Sequence, residues 1–145
     1  MKNLSGNSIS RVWRDGNWIY KQQIKYLTEN EIWCLNALSY TVYVPRAERL
    51  DDELIRMEYI EQEPITNPEL FIDHCNRFLE ELGRVGIVHG DLTRYAVLPR
   101  ANIPVVIDWA ESRMACDPRA PKRPGNDGSW LMDTAMEFIN ERKST

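Results

Sequence analysis

The segment IVHGDLTRYAVL, residues 87–98, contains the residues most suited to chemistry. A His, a Gly and Asp91 follow an apolar pair, a pattern typical of a loop that presents one carboxylate. Five residues after Asp91 the sequence has Ala96, where an amide or a carboxylate would be expected if the loop also held a metal. The segment could therefore place one carboxylate for acid–base chemistry, and the side chain that would add a metal ligand beside it is missing.

Hydrophobic periodicity predicts the α and β elements that would position this loop. The turn DGN at residues 15–17 predicts a hairpin, because Gly and Asn tolerate positive φ in tight turns. Thr28 and Glu31 have the spacing of a capping box, which predicts that a helix begins after Thr28. Gly83 or Gly86 can end a second helix. The predicted elements are strands at 9–14, 18–23, 47–51 and 53–59, helices at 29–39, 69–83 and 130–139, a hairpin of runs at 95–98 and 104–109, and an irregular exposed segment at 115–128.

Length, charge and cysteine usage restrict the class of protein. A chain of 145 residues with 18 basic and 22 acidic side chains, net charge -4, fits one domain. This negative net charge provides no electrostatic field that would attract nucleic acid or anionic lipid, so the sequence gives no direct indication of nucleic-acid binding. Three scattered cysteines indicate neither a disulfide framework nor a zinc site. Without a long apolar run, the chain is expected to be a cytoplasmic protein with no membrane contact.

The order of these features resembles the protein-kinase-like superfamily, in its atypical and small-molecule-kinase branches. HGDL at 89–92 and VVIDW at 105–109 are similar to the catalytic and metal-binding motifs of that superfamily. Between residues 61 and 88 there is room for only one helix. A lobe of this reduced size resembles that of the RIO kinases and of the small kinase of the KEOPS tRNA-modification complex. Aminoglycoside kinases insert a long helical region there.

The resemblance implies an α+β fold with the two lobes of a protein kinase. The N-lobe would be an antiparallel sheet with one helix, and the C-lobe would be reduced and mostly helical. The whole chain, 1–145, would form a single kinase-like domain, with N-lobe and hinge at 1–60 and the truncated C-lobe at 61–145.

The same resemblance implies roles for the charged residues. Asp91 would orient the attacking hydroxyl and accept its proton, and Asp108 would hold Mg²⁺ across the nucleotide phosphates. Lys21 would bind phosphate with Glu31 as its partner, and Asp127 would brace the catalytic loop. On the residues alone, Lys21 could instead be a solvated strand lysine, Glu31 a capping-box residue and Asp127 an acidic residue at a helix N-terminus.

A nucleotide pocket is also implied, with ATP and Mg²⁺ as cofactors. The stretch LIRMEYIEQ at 54–62 resembles the hinge strand that pairs with adenine. Met57 would close the back of the pocket, Glu58 would offer its carbonyl and Ile60 its N–H. The residues expected to enclose the base or meet the phosphates are Val12, Ile19 and Leu98, and Ser8 and Ser10 in the segment LSGNSIS at 4–10. Simple strand-core positions are the alternative for the apolar members.

Ala96 leaves several functions open. The superfamily has Asn at this position as a second metal ligand, and a methyl group cannot coordinate Mg²⁺. A natural pseudokinase or a deliberate Asn-to-Ala change would each give this pattern. The leading hypothesis is an atypical Ser/Thr kinase-like protein or ATPase that acts on a protein substrate or partner protein. The alternatives are a nucleotide-binding pseudokinase that serves as a scaffold, and a small-molecule kinase of the aminoglycoside type.

Three tryptophans and two histidines have simpler expected roles. Trp13, Trp18 and Trp33 are expected to fill the core of the small lobe. His89 is expected to be a packed structural residue that shapes its loop. His74, with the adjacent cysteine, is expected on a helix face.

Overall fold

The structure is a computed structural model, and it describes residues 11–114 and 126–144. Ser8 and Ser10 lie outside the described residues, as do the rest of the segment 4–10 and residues 115–125. The elements in chain order are β1 (Arg11–Asp15), β2 (Trp18–Gln22), α1 (Lys25–Ala37), β3 (Ala47–Asp51), β4 (Leu54–Glu58), α2 (Pro68–Val85), β5 (Ile87–Val88), β6 (Val97–Arg100), β7 (Ile103–Val106), β8 (Arg113–Met114) and α3 (Asn126–Ser144).

Four strands form an antiparallel sheet in the order β1-β2-β4-β3. The predicted first hairpin is confirmed, and its turn contains Gly16 at φ 62°. Val12 on β1 pairs directly with Lys21 on β2, and Ile19 on β2 pairs directly with Met57 on β4. Because directly paired residues, and alternate residues along a strand, share a face of a sheet, these four side chains lie on one face. Helix α1 packs against β3 and β4 of this sheet.

The rest of the described chain is built on helices α2 and α3, which pack on each other. Helix α2 begins at an Asn67 cap, whose side chain accepts a hydrogen bond from the Leu70 N–H at 3.1 Å. It ends at Gly86, which has φ 75° and donates its N–H to the Leu82 carbonyl at 2.8 Å. Of the two glycines predicted to end the helix, Gly86 is therefore the one that does. The turn at Gly86 passes the chain into β5 and the HGD loop.

One continuous hydrophobic core joins the sheet to the helices. Trp109, Phe71 and Phe78 are fully buried in it, and the rings of Phe78 and Trp109 meet edge to face at 6.1 Å. The Trp109 indole N–H donates to the Val106 carbonyl at 2.9 Å, so this large side chain has no unpaired donor. Since Trp109 directly follows Asp108, the core anchors the backbone beside the proposed metal ligand.

The predicted capping box is wrong. Helix α1 begins at Lys25, three residues before the expected cap at Thr28, and Ile24 precedes it without a side-chain cap. The Thr28 hydroxyl lies within the helix and donates to the carbonyls of Gln23 and Ile24 at 3.1 Å. Glu31 is fully buried and its carboxylate is bound elsewhere. An ion pair with a lysine on the sheet takes the place of the expected bond to a helix N–H.

The predicted core positions of Trp13 and Trp33 are also wrong, since these side chains are 36% and 49% exposed. Trp13 stacks on Tyr20 across β1 and β2, at 5.5 Å between ring centroids. Trp18 is half-buried, with the Arg56 guanidinium 4.2 Å from its ring. These strand residues lie on the face opposite Lys21, where aromatic rings stack on each other and on guanidinium groups.

Several element bounds differ from expectation. Helix α3 starts at Asn126 and not at Trp130, so the predicted irregular segment is helical in its last residues. The β6–β7 hairpin is confirmed, but β6 begins at Val97 because Ala96 and Val97 both donate to the Thr93 carbonyl in a preceding turn. The short β5–β8 pair was not predicted. In the described chain, no helix has both the length and the apolar character needed to span a membrane.

Candidate active site

The Lys21 ammonium is held by a buried carboxylate. Its nitrogen lies 2.9 Å from a Glu31 oxygen, with 12% of the lysine side chain and none of the glutamate exposed. Gln23 donates its side-chain amide to the same oxygen of Glu31 at 2.8 Å. Burial by itself would lower the pKa of Lys21, but Glu31 and then Asp108 outweigh it, so the pKa is raised. Lys21 therefore stays cationic, and it is not a solvated strand lysine.

Asp108 completes this charged cluster from the segment that follows β7. A carboxylate oxygen of Asp108 lies 3.8 Å from the Lys21 nitrogen, and the side chain is 55% exposed. The second Glu31 oxygen accepts the Trp109 backbone N–H at 3.1 Å, which fixes the residue after Asp108. Desolvation raises the pKa of Asp108, while the Lys21 charge opposes the shift. The structure thus brings Lys21, Glu31 and Asp108 together.

The HGD loop is shaped by His89 and Asp127. His89 is buried, and its Nε2 lies 2.8 Å from the Ile107 carbonyl, while its Nδ1 accepts the Asp91 N–H at 3.1 Å. These bonds require a neutral ring protonated at Nε2. Desolvation accordingly lowers the pKa of His89. The predicted structural role of His89 is confirmed.

Asp127 braces the same loop from the first turn of α3. Its two carboxylate oxygens accept the backbone N–H groups of His89 at 2.8 Å and Gly90 at 2.9 Å. Gly90 has φ 88°, which a residue with a side chain rarely adopts. With its backbone fixed on this side, the loop presents Asp91 as an exposed carboxylate. Asp91 lies close enough to contribute to the raised pKa of Asp108.

Ala96 lies at the join between this loop and the Asp108 segment. It is 1% exposed, and its carbonyl accepts the Ile107 N–H at 2.8 Å. Asn102 does not replace the missing amide, since its side-chain oxygen accepts the N–H groups of Thr66 at 3.0 Å and Asn67 at 2.8 Å. Asn102 therefore fastens the β6–β7 turn to the start of α2.

The residues expected around adenine lie on the four-stranded sheet, just after β4 and on β6. Val12 and Ile19 share the sheet face of Lys21, with Val12 48% exposed, and Met57 is buried beside Ile19. The N–H of Ile60, a residue that follows β4, forms no hydrogen bond within residues 11–114 and 126–144. Leu98 is half-buried on β6. The Glu58 carboxylate accepts the Arg46 N–H at 2.9 Å.

A Mg²⁺ ion at this site would need oxygen ligands. Within the described ranges, no three or more His, Cys, Asp or Glu side chains are grouped so as to hold a metal ion. Mg²⁺ needs no such group when one or two carboxylates and the phosphates of a nucleotide supply its ligands. The half-exposed Asp108 carboxylate, beside a lysine suited to phosphate, fits this type of site. Residues His74 and Cys75 lie on α2, where burial raises the pKa of the Cys75 thiol to about 12.

Three residues of the site were not predicted. Gln23 is buried against Glu31, Trp109 offers its backbone N–H to Glu31, and Asn30 bonds to carbonyls beyond Trp109. Only the position of Trp109 next to Asp108 gave a signal in the sequence. Gln23 and Asn30 follow no recognised motif, because their partners are set by tertiary packing.

Comparisons with known proteins identify the family and the fold of the chain. A family model described as the RIO domain matches residues 9–127. No curated protein matches the chain. Among solved structures, the Rio2 kinase-ADP/Mg²⁺-phosphoaspartate complex from Chaetomium thermophilum matches with a TM-score of 0.63 and 14% identity, over 99% of this chain and 55% of that chain. A second structure of the Rio2 kinase from that organism gives 0.60 and 14%, over 99% and 72%.

These matches differ in what they show. At 14% identity, the solved structures show the fold alone, a mixed α/β kinase-like fold with an antiparallel sheet and helices. The chain spans about half the length of the first of these structures. The family match covers most of the chain and includes the positions of Lys21, Asp91 and Asp108.

Proposed function

Because the chain belongs to the RIO domain family, and so is an atypical kinase-like protein, we propose that it binds ATP with Mg²⁺ in this cleft. We further propose that it can transfer the γ-phosphate to a hydroxyl group on a protein, at a rate limited by Ala96. The units involved would be the N-lobe and hinge at 1–60 and the reduced C-lobe at 61–145.

One observation carries this proposal, the cluster of Lys21, Glu31 and Asp108. A buried glutamate is costly unless it is paired, and here it is paired with a lysine whose ammonium also faces a half-exposed aspartate. An ammonium beside an open carboxylate suits a ligand that has anionic oxygens for the lysine and a divalent cation for the aspartate. A nucleotide polyphosphate with Mg²⁺ has both.

The remaining roles follow from exposure and backbone support. Asp91 is the exposed carboxylate of a loop that Asp127 and His89 hold in place, which suits a group that orients an incoming hydroxyl and accepts its proton. Ile60, whose N–H has no hydrogen-bond partner among the described residues, is the proposed partner for adenine. The Rio2 kinase structure holds ADP and Mg²⁺ with phosphoaspartate, which supports nucleotide and magnesium as cofactors here as well.

Ala96 favours a second candidate function. With a methyl group at the position of the second metal ligand, charge on the transferred phosphoryl group would be less well stabilised than in an active kinase. A protein that binds nucleotide without transferring phosphate could then act as a scaffold or regulatory partner. The two candidates share the nucleotide site and differ only in the transfer step.

Turnover of radiolabelled ATP separates the two candidates. The kinase proposal predicts a low, Mg²⁺-dependent rate of ADP formation or autophosphorylation that Asp91→Asn abolishes. The same rate in Asp91→Asn would mean contaminating activity or a misassigned residue. Binding of ATP without any turnover above that control would favour the scaffold function.

A further inference from the structure

A side chain outside the proposed cluster holds the backbone that follows Asp108. The Asn30 amide nitrogen donates to the carbonyls of Ala110 at 2.7 Å and Ser112 at 2.6 Å. It also lies 3.5 Å from the Trp109 carbonyl. A side-chain amide has two protons to donate, so the close contacts use both. One residue of α1 thus ties down the turn from Trp109 to Ser112.

The turn needs such support because Asp108 has a strained backbone. Its φ is 65°, in the left-handed region that residues with a side chain adopt far less often than glycine. On the upstream side, the backbone of Ile107 is bonded to Ala96 and His89. On the downstream side, no strand begins before Arg113. Between Ile107 and Arg113, hydrogen bonds from side chains of α1 therefore hold the chain in place.

An amide is well suited to this task. The partners of Asn30 are all carbonyl oxygens, so the side chain that meets them must donate. A carboxylate of the same shape would place acceptors against acceptors. A cationic side chain would place a partly buried charge where the partners are neutral carbonyls.

We propose that Asn30 is a positioning residue for the metal-binding loop, an inference that rests on the proposed function. By fixing the carbonyls of Ala110 and Ser112, it keeps Asp108 in its left-handed conformation with the carboxylate on the Lys21 side. Asn30 and Glu31 are neighbours on α1, so a single helix positions both the phosphate-binding lysine and the metal ligand. A change at Asn30 should therefore affect metal use more than nucleotide binding.

The test is calorimetric titration of Asn30→Ala and Asn30→Asp with ADP, once with Mg²⁺ and once with EDTA. We expect the affinity for metal-free ADP to be unchanged and its enhancement by Mg²⁺ to fall about tenfold or more, as for other residues that orient metal ligands. Asn30→Asp should lose at least as much as Asn30→Ala, because a carboxylate repels the carbonyls. Asn30→Ala should fold, since the site is half-buried and alanine favours helix.

Asn36 provides the matched control, because it is an exposed asparagine on the same helix. Asn36→Ala and Asn36→Asp should keep the full enhancement. Enhancement equal to wild type in both Asn30 variants would overturn the inference, as would equal losses with and without Mg²⁺. If the wild type itself shows no enhancement by Mg²⁺, the metal role in the proposed function fails and the inference fails with it. If only the Asn36 variants lost the enhancement by Mg²⁺, the role of Asn30 would be contradicted while the proposed function would stand.

Discussion

The Lys21 ammonium and the Glu31 carboxylate form an ion pair at 2.9 Å that joins the sheet to helix α1. Both groups are largely withdrawn from water, and Glu31 also binds Gln23 and the Trp109 backbone. Removing one partner of a buried pair leaves an uncompensated charge, whereas removing both does not. The effects of changing Lys21 and Glu31 on the free energy of unfolding, and on ligand binding, are therefore expected to be strongly non-additive.

Lys21→Met and Glu31→Gln should each lower the free energy of unfolding by roughly 3 kcal/mol, and the double variant should lose less than the sum. Urea unfolding of the four proteins measures the coupling. The exposed pair Lys25 and Glu29, 3.9 Å apart on α1, is the matched control and should give a coupling below about 0.5 kcal/mol. Additive losses at Lys21 and Glu31 would contradict the assigned pairing.

The stability of the protein should fall as the pH drops below the ordinary histidine pKa. Burial lowers the folded-state pKa of His89, so the unfolded chain takes up a proton first and unfolding is favoured from about pH 6.5 downward. The slope from this one group is at most about 1.4 kcal/mol per pH unit. His89→Gln should flatten the slope measured by urea unfolding between neutral and acidic pH.

The other histidine serves as the comparison for that experiment. Burial also lowers the pKa of His74, whose Nδ1 lies 2.8 Å from the Tyr43 hydroxyl, but His74 is less enclosed than His89. His74→Gln should therefore reduce the pH dependence of the free energy of unfolding by less than His89→Gln does. A slope unchanged in His89→Gln would show that this histidine is not held neutral by the fold.

Asp108→Ala should weaken Mg²⁺-dependent ADP binding, whereas Asp91→Ala should leave it largely intact. The reason is that Asp108 alone is proposed to bind the metal, and it faces Lys21 at 3.8 Å. Titration of both variants with ADP and Mg²⁺ measures the difference. Equal losses in the two would mean that their roles are misassigned.

Ala96→Asn should raise the rate of phosphoryl transfer. It returns an amide at the position of a metal ligand, and contacts that stabilise developing charge are typically worth about 10² to 10³ in rate. ATP turnover and autophosphorylation are measured for both forms, with Asp91→Asn in the restored background as the control. Because Ala96 is 1% exposed, urea unfolding should accompany the assay to show that the larger side chain is accepted. Near-zero turnover in a folded, ATP-binding variant would favour the scaffold function.

The sequence predicted the fold and the charged cluster because both depend on features that are local or strictly ordered. Strand alternation and the turn at residues 15–17 predicted the hairpin that carries Lys21, and the order of motifs paired it with Glu31 and Asp108. The resemblance also indicated that Asp127 braces the HGD loop, which its two backbone hydrogen bonds bear out.

The parts that could not be predicted depend on which face of an element meets another. The spacing of Thr28 and Glu31 fits a capping box, yet the buried lysine determines where Glu31 points. Trp13 looks like a core residue by composition, but its strand has aromatic partners on the outer face. The two close contacts of Asn30 join residues 80 and 82 positions apart in the sequence, and no local pattern predicts such contacts.

The most direct test of the central claim is the effect of ATP with Mg²⁺ on the unfolding of the wild-type protein. If the cleft binds the nucleotide, a ligand concentration one hundred times the Kd should add about 2.7 kcal/mol to the free energy of unfolding. Lys21→Met should show a much smaller gain at the same concentration, because the phosphates lose their cation. Equal unfolding curves with and without saturating ATP and Mg²⁺ in the wild type would contradict the account.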